Sequence, residues 1–98
     1  MSDLRFDWDA RKEVQNRRKH GVSFAEAETV FSDDHALLVD DPDHSDEEDR
    51  EVTIGASTKQ RILFVAHAAR GGRIRIISAR KATQQERRQY AKGIGAAG

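Results

Sequence analysis

The sequence predicts a small α+β domain, an antiparallel sheet of about four to five strands packed against two N-terminal helices and followed by a C-terminal helix. Three observations lead there. Residues 10–31 carry helix punctuation and helical spacing, residues 36–80 break into four β-branched runs separated by turn chemistry, and residues 83–92 return to helical signals. With 98 residues and 37% hydrophobic content, the chain supports one core and one domain, residues 1–98, whose last stretch, 93–98, is expected as a flexible tail.

Each element has its own reason. Leu4, Phe6 and Trp8 alternate and would share one face of a short strand. Asp9 suits a helix N-cap, and the helix that follows should run from Ala10 to His20 and stop on Gly21 in the left-handed conformation. Ser23-Phe24-Ala25-Glu26 reads as a capping box, Val22 can staple onto Ala27, and Phe24, Ala27, Val30 and Phe31 recur on one helical face. Ala36–Val39, Glu51–Ala56, Arg61–Ala69 and Arg73–Arg80 read as strands. Gly71-Gly72 supplies the positive φ of a two-residue hairpin turn, so Arg70 and Arg73 should face each other across it.

Along the last strand, strict alternation puts Arg73, Arg75, Ile77 and Ala79 on one side. Ile74, Ile76, Ser78 and Arg80 then fall on the other, unless a bulge intervenes near Ile76-Ile77. Thr83-Gln84-Gln85-Glu86 is a second capping box, opening a helix that should end at about Lys92, before Gly93. Its apolar stripe of Tyr90, Ala91 and Ile94 is weak, so light docking is expected. One sheet face is then covered by helices and the other is left free to bind.

A formal net charge of zero conceals strong polarity along the chain. Residues 1–32 carry six Lys/Arg and six Asp/Glu, whereas residues 33–51 carry ten acids and only Arg50. From Val52 onward ten Lys/Arg stand against Glu86 alone. The stretch from Arg73 to Tyr90 joins an arginine-studded strand to a charged helix with almost no acid to neutralise it, which suits a polyanion such as RNA. The acidic stretch Asp40–Glu51 reads as a solvated loop. The absence of cysteine and of any long apolar run, with a polar N-terminus, points to a reduced, soluble, cytoplasmic setting without a membrane partner.

The groups that could cut an RNA strand without a metal are His20, His67, Lys19, Arg50, Arg70 and Arg80. Such cleavage needs a base for the 2′-hydroxyl, an acid for the leaving 5′-oxygen and fixed cations for the five-coordinate phosphate. Each candidate also has a structural reading. His20 is favoured by the dipole at a helix C-terminus, His67 could be a core histidine beside Leu63 and Val65, and Lys19 could simply be solvated. Arg73 and Arg75 could be solubilising charges, and His35 and His44 look solvated. Asp40, Asp41, Asp43, Asp46 and Glu48 lack the glycine and ligand spacing of a calcium loop, so neither a metal site nor a cofactor is expected.

Taken in order, FDWDARKEVQNRRKHGVSFAEAETVF, an acidic stretch ending in DREVTIG, and LFVAHAARGGRIRIISARKATQQERRQY resemble the BrnT family of type II toxins over Phe6 to Tyr90. The resemblance rests on Trp8-Asp9, Lys12, Asn16, the block from Lys19 to Phe24, Arg50, Gly55, His67, Arg70, the RIISAR block and Glu86-Arg87 to Tyr90. Ala68 and Ala69 depart from it, standing where many relatives have a threonine and an acid. The resemblance implies a RelE-like ribonuclease fold and toxic RNA cleavage, in solution or on the ribosome. It also implies neutralisation by a BrnA-type antitoxin, whose ribbon-helix-helix part carries the operator-DNA contacts. A two-to-two heterotetramer is expected.

Carried onto matching positions, it assigns His20 and His67 to proton transfer, Lys19, Arg70 and Arg80 to phosphate, and Tyr90 to stacking or orienting. Arg50, Arg73, Arg75, Lys81 and Arg87 complete the expected RNA surface. The rival reading is a non-catalytic regulatory module that holds RNA or an acidic partner on the same basic sheet.

Overall fold

The computed structural model describes residues 4–41 and 50–97. Its elements are β1 (Arg5–Asp7), α1 (Ala10–His20), α2 (Phe24–Thr29) with a 3₁₀ turn (Val30–Ser32), β2 (Leu37–Asp40), β3 (Arg50–Ala56), β4 (Ile62–Arg70), β5 (Arg73–Lys81) and α3 (Gln84–Ala97). His44, and Asp43, Asp46 and Glu48 of the acidic stretch, lie outside the described residues. No helix among the described residues is long and apolar enough to cross a membrane.

The five strands form one sheet in the order β1-β5-β4-β3-β2. The β2–β3, β3–β4 and β4–β5 pairings are antiparallel, as expected. The sheet is nevertheless mixed, because β1 pairs in parallel with the start of β5 from the far end of the chain. No hairpin constrains that pairing, so direction is set by which residues it buries. Gly71 and Gly72 have φ of 54° and 78°, and Arg70 does pair with Arg73 across the turn.

α1 begins on the Asp9 side chain, which accepts from Arg11 N and Lys12 N, and ends on Gly21 with φ 70°. Because β1 reaches only Arg73–Arg75, the rest of the outer edge of β5 is left to α1. Asn16 fills the gap as a surrogate strand residue. Its Nδ2 donates to Ala79 O at 2.8 Å and Val22 O at 2.9 Å, while its Oδ1 accepts from Ala79 N at 3.0 Å. The edge is thereby satisfied inside the protein, where an unpaired amide or carbonyl would be costly.

Both sheet faces are covered, which corrects the expectation of one free face. Val22, Phe24, Ala27 and Val30 pack on Leu63, Val65, Ile76 and Ala79 on one side. On the other side Tyr90 of α3 packs with Val52, Ile54, Phe64 and Ala66. Two apolar clusters separated by the sheet replace the single core expected. α3 also runs on through Gly93 to Ala97. Gly93 does not adopt a positive φ. A Cβ there would meet Leu37 Cδ2 at an ordinary contact distance of 3.4 Å, so Gly93 is an interior helix position beside β2 where a helix stop was expected.

The first capping box forms by half. Ser23 Oγ accepts from Glu26 N at 3.0 Å, but the Glu26 carboxylate turns inward to Ser57 Oγ, at 2.7 Å, and to Arg61. The second box closes fully, Thr83 Oγ1 accepting from Glu86 N at 3.1 Å and Glu86 Oε1 from Thr83 N at 2.8 Å.

Replacing Asn16 with alanine strands one buried donor and two acceptors at the β5 edge. The expected loss is about 2–3 kcal/mol of folding stability, read as a lower urea midpoint at unchanged slope; an unshifted midpoint would remove Asn16 from this role.

Candidate functional site

A bulge in β5 decides which face carries the cations. Ile76 pairs with His67 and Ser78 with Ala66, so Ile77 is the extra residue. Arg75 and Arg80, five positions apart, therefore lie on the same side of the sheet. That side also holds Phe64, over whose ring the Arg80 guanidinium sits at 3.8 Å. Alternation along β4 adds Ala66, Ala68 and Arg70, and cross-strand register adds Arg50 opposite Ala68 and Arg73 opposite Arg70. Arg50, Arg70, Arg73, Arg75 and Arg80 thus share the α3-bearing face around a floor of small residues.

Most of these cations are already engaged, contrary to the expectation of an unneutralised stretch. Asp7 lies 3.0 Å from Arg75 Nη1 and 3.9 Å from Arg73 Nη1, and Asp41 lies 3.8 Å from Arg50 Nε. Both acids come from outside the segment whose charge looked unopposed. Arg80 donates from both Nη atoms to Glu86, at 2.8 and 2.9 Å, and from Nη1 to Lys81 O at 3.2 Å. The Arg80 bond, opposed by burial, holds the Glu86 carboxyl below its ordinary range, and Thr83 assists. Arg70, exposed at the tip of β4, has no carboxylate in ion-pair reach among the described residues.

Beside β5, the last turns of α1 open a cleft of about 290 Å³ lined by Lys12, Gln15, Asn16, Lys19, His20, Ile77 and Ser78. The asparagine that seals the β5 edge also sets this geometry, since α1 carries His20 one turn beyond it. The His20 pKa is lowered, first by partial desolvation and then by the positive charges of Lys19 and Arg80. At neutral pH its imidazole is therefore a free base with two cations in electrostatic reach. An anion entering this cleft would meet Lys12, Lys19 and, across the edge, Arg80.

The other expected members lie elsewhere. His67 is on the opposite face, 5% exposed, with Nε2 2.8 Å from Thr53 Oγ1 and its ring edge-on to Phe31 at 4.9 Å. The structure does not bring the two imidazoles together, because the parity of β4 turns His67 toward the cluster of Leu63 and Val65. Tyr90 is buried, and its hydroxyl donates to Asp33 Oδ2 at 2.5 Å, so its ring is not open to stacking. Burial and the Asp33 carboxylate push its pKa up to about 12. Lys81 and Arg87 sit at the far end of the sheet, beside a separate hollow.

Sequence reasoning missed Asp33 and Asp7, and read Glu26 only as a capping-box acid where it turns inward to Ser57 and Arg61. Asp33 Oδ2 accepts from Ala56 N at 2.8 Å as well as from Tyr90, and its Oδ1 accepts from His35 N at 3.0 Å. Burial raises its pKa, but these bonds outweigh it and the net shift is downward. A signal for Asp33 lay in Gly55: a Cβ there would stand 3.0 Å from Ala36 Cβ and 3.3 Å from Asp33 Oδ2. Only long-range geometry pairs Asp7 with Arg75, or Glu26 with Arg61.

Residues 8–86 match the family model described as ribonuclease toxin, BrnT, of type II toxin-antitoxin system. Among solved structures, the crystal structure of the Brucella abortus ribonuclease toxin BrnT is similar, with a TM-score of 0.65 and 28% identity. It covers 83% of this chain and 99% of that chain. No curated protein matches.

Burial depresses His67 to a pKa of about 4. The unfolded chain, with a pKa near 6.5, takes up that proton more readily, so the contribution of neutral His67 is whole above pH 6.5 and is lost as pH falls through 4. It amounts to on the order of 3 kcal/mol. Urea midpoints measured between pH 7 and 4.5 should fall steadily, His20 adding in the same sense, and His67→Gln should flatten most of that slope; an equally steep slope in the variant would exclude His67 as its source.

Proposed function

The chain belongs to the BrnT family of ribonuclease toxins of type II toxin-antitoxin systems, and from that premise we propose that it cleaves RNA without a metal ion, by attack of a 2′-hydroxyl on the adjacent phosphate. One observation supports this most directly: His20, a partly shielded free base, stands in a cleft with Lys12 and Lys19, in electrostatic reach of Arg80. His20 accepts the 2′-hydroxyl proton, and the 2′-oxygen then bonds to phosphorus. The 5′-oxygen leaves, taking a proton from solvent in the open cleft, and the products are a 2′,3′-cyclic phosphate and a 5′-hydroxyl. Arg80, Lys19 and Lys12 match the charge on the five-coordinate phosphate. Arg80 suits this role because Glu86 takes only its two Nη atoms end-on, leaving the Nε side of the guanidinium for a phosphate. Arg70, with Arg73, Arg75 and Arg50 behind it, holds the flanking strand.

In this reading the toxin acts in the cytoplasm and slows translation and growth. A BrnA-type ribbon-helix-helix antitoxin neutralises it by laying an acidic or amphipathic segment on the cationic face. Two toxins then flank one antitoxin dimer, and operator DNA is reached through the antitoxin alone. A second reading, a binding module without catalysis, draws on one observation: only one of the two histidines reaches the cleft.

Incubation with a defined RNA in chelator, and with ribosomes, should give fragments with 2′,3′-cyclic or 3′-phosphate ends; RNA left intact in both would favour the binding module. His20→Ala should reduce the rate by about 10²- to 10⁴-fold while largely keeping RNA affinity. If His20 is the base, its lowered pKa keeps it competent below pH 6.5, so the acid limb of kcat/KM should fall below that value in the wild type and vanish in the variant.

A further inference from the structure

At the end of the sheet opposite the hairpin, Gln60, Arg61, Ile62, Lys81, Ala82 and Arg87 line a hollow of about 260 Å³. Its charges are arranged unlike those of the sheet face. Arg61 is balanced by Glu26 and donates Nη2 to Gly21 O at 3.2 Å. Lys81 and Arg87, both exposed, have no carboxylate in ion-pair reach among the described residues. The one acid nearby in sequence, Glu86, is held by Arg80. The hollow therefore carries an uncompensated charge of about two, in a chain where Arg61 and Arg80 each face an acid of their own and Arg73 and Arg75 share Asp7.

The rim is also shaped by a strained residue. Gln60 has φ 61°, the one positive φ of a non-glycine among the described residues. It is held there by Gln60 N donating to Ser57 O at 2.9 Å and Ser57 N to Arg61 O at 2.8 Å. Such a conformation is disfavoured for a residue with a side chain and persists only where the surroundings impose it. Here it brings an amide side chain to the lip of a cationic hollow.

Two links join the hollow to the cleft. Lys81 follows Arg80 in β5, turned to the other face opposite Leu63, and Arg61 is bonded to the carbonyl of Gly21, the residue after His20. A chain of spaced negative charges leaving the cleft past His20 and Gly21 would come to Arg61, Lys81 and Arg87 next. The RNA strand that the cleft is read to bind already runs toward these charges, and an acidic segment meeting the same charges is the alternative that the test below separates.

We propose that this hollow is a second phosphate subsite, which takes a backbone phosphate of the RNA strand flanking the one held at Arg80. The proposal rests on the reading of the cleft as an RNA site. Lys81 and Arg87 supply the charge, Gln60 an amide donor, and the subsite adds length-dependent affinity.

The test uses a 2′-O-methyl RNA oligonucleotide, which binds but cannot supply the attacking hydroxyl. The double variant Lys81→Ala/Arg87→Ala should bind it about tenfold more weakly. The slope of log affinity against log salt should drop by about one to two. The charge-matched variant Arg11→Ala/Arg18→Ala, on the outer face of α1, should lose clearly less. Unchanged affinity and slope in the first variant, or an equal loss in the second, overturns the subsite. So does a result in which RNA affinity is kept and affinity for a poly-glutamate peptide falls. Cleavage of unmodified RNA by the wild type is scored separately, so a binding module with an intact subsite is distinguishable from an enzyme without one.

Discussion

The amide of Asn16 is the contact on which the arrangement of the cleft depends. A sheet whose outermost partner strand is three residues long leaves most of its β5 edge bare, and bare edges invite pairing with other chains. One side chain takes up both backbone groups of Ala79 on that edge, tying α1 to β5 and to the Val22 carbonyl just after the helix. The spacing from Asn16 to His20 is one helical turn, so the same contact that protects the sheet fixes where the imidazole stands. Stability and chemistry are thus joined in one residue.

The charge pattern follows a related logic. A row of arginines on a folded sheet would repel itself, and the chain relieves this with acids, two of them from distant positions, Asp7 for Arg73 and Arg75 and Glu26 for Arg61, and one nearby, Glu86 for Arg80. Exposed pairs of this kind contribute little to stability. Their effect is on geometry, because an arginine held at its Nη end cannot swing away and keeps its remaining donors aimed in one direction. Glu86 serves twice, closing the α3 capping box and gripping Arg80, so the start of α3 and the orientation of that guanidinium are set together.

Local structure was legible in the sequence wherever it was punctuated by residues with special backbone or capping chemistry. Asp9, Gly21, Gly71-Gly72 and Thr83 marked boundaries that the structure keeps to within a residue or so. Gly93 misled, because a glycine within a helix and one that stops it look alike without the third dimension. The site was legible in part: Lys19 and His20 fall where a cleft forms, and a bulge near Ile77 could be anticipated. What could not be read was burial. Whether His67 faces solvent depends on which side of the sheet the helices cover, and Tyr90 looked available only while one face was thought bare. The Ala56 and Tyr90 partners of Asp33 and the Arg75 partner of Asp7 lie more than twenty residues away in the chain, beyond the reach of periodicity.

α3 is pinned at two points, by Glu86 on Arg80 near its start and by Tyr90 on Asp33 further along. Asp33 also holds the backbone of β3 at Ala56. A helix attached only by its light apolar stripe would fray independently of the body it sits on. With an ion pair at Glu86 and a charge-assisted hydrogen bond from Tyr90 one turn later, the second shared with β3, the first half of α3 is tied directly to the sheet. Opening the start of α3 therefore means breaking bonds held by β5 and by the Asp33 that grips β3, which couples the loosening of that turn to the strands beneath it.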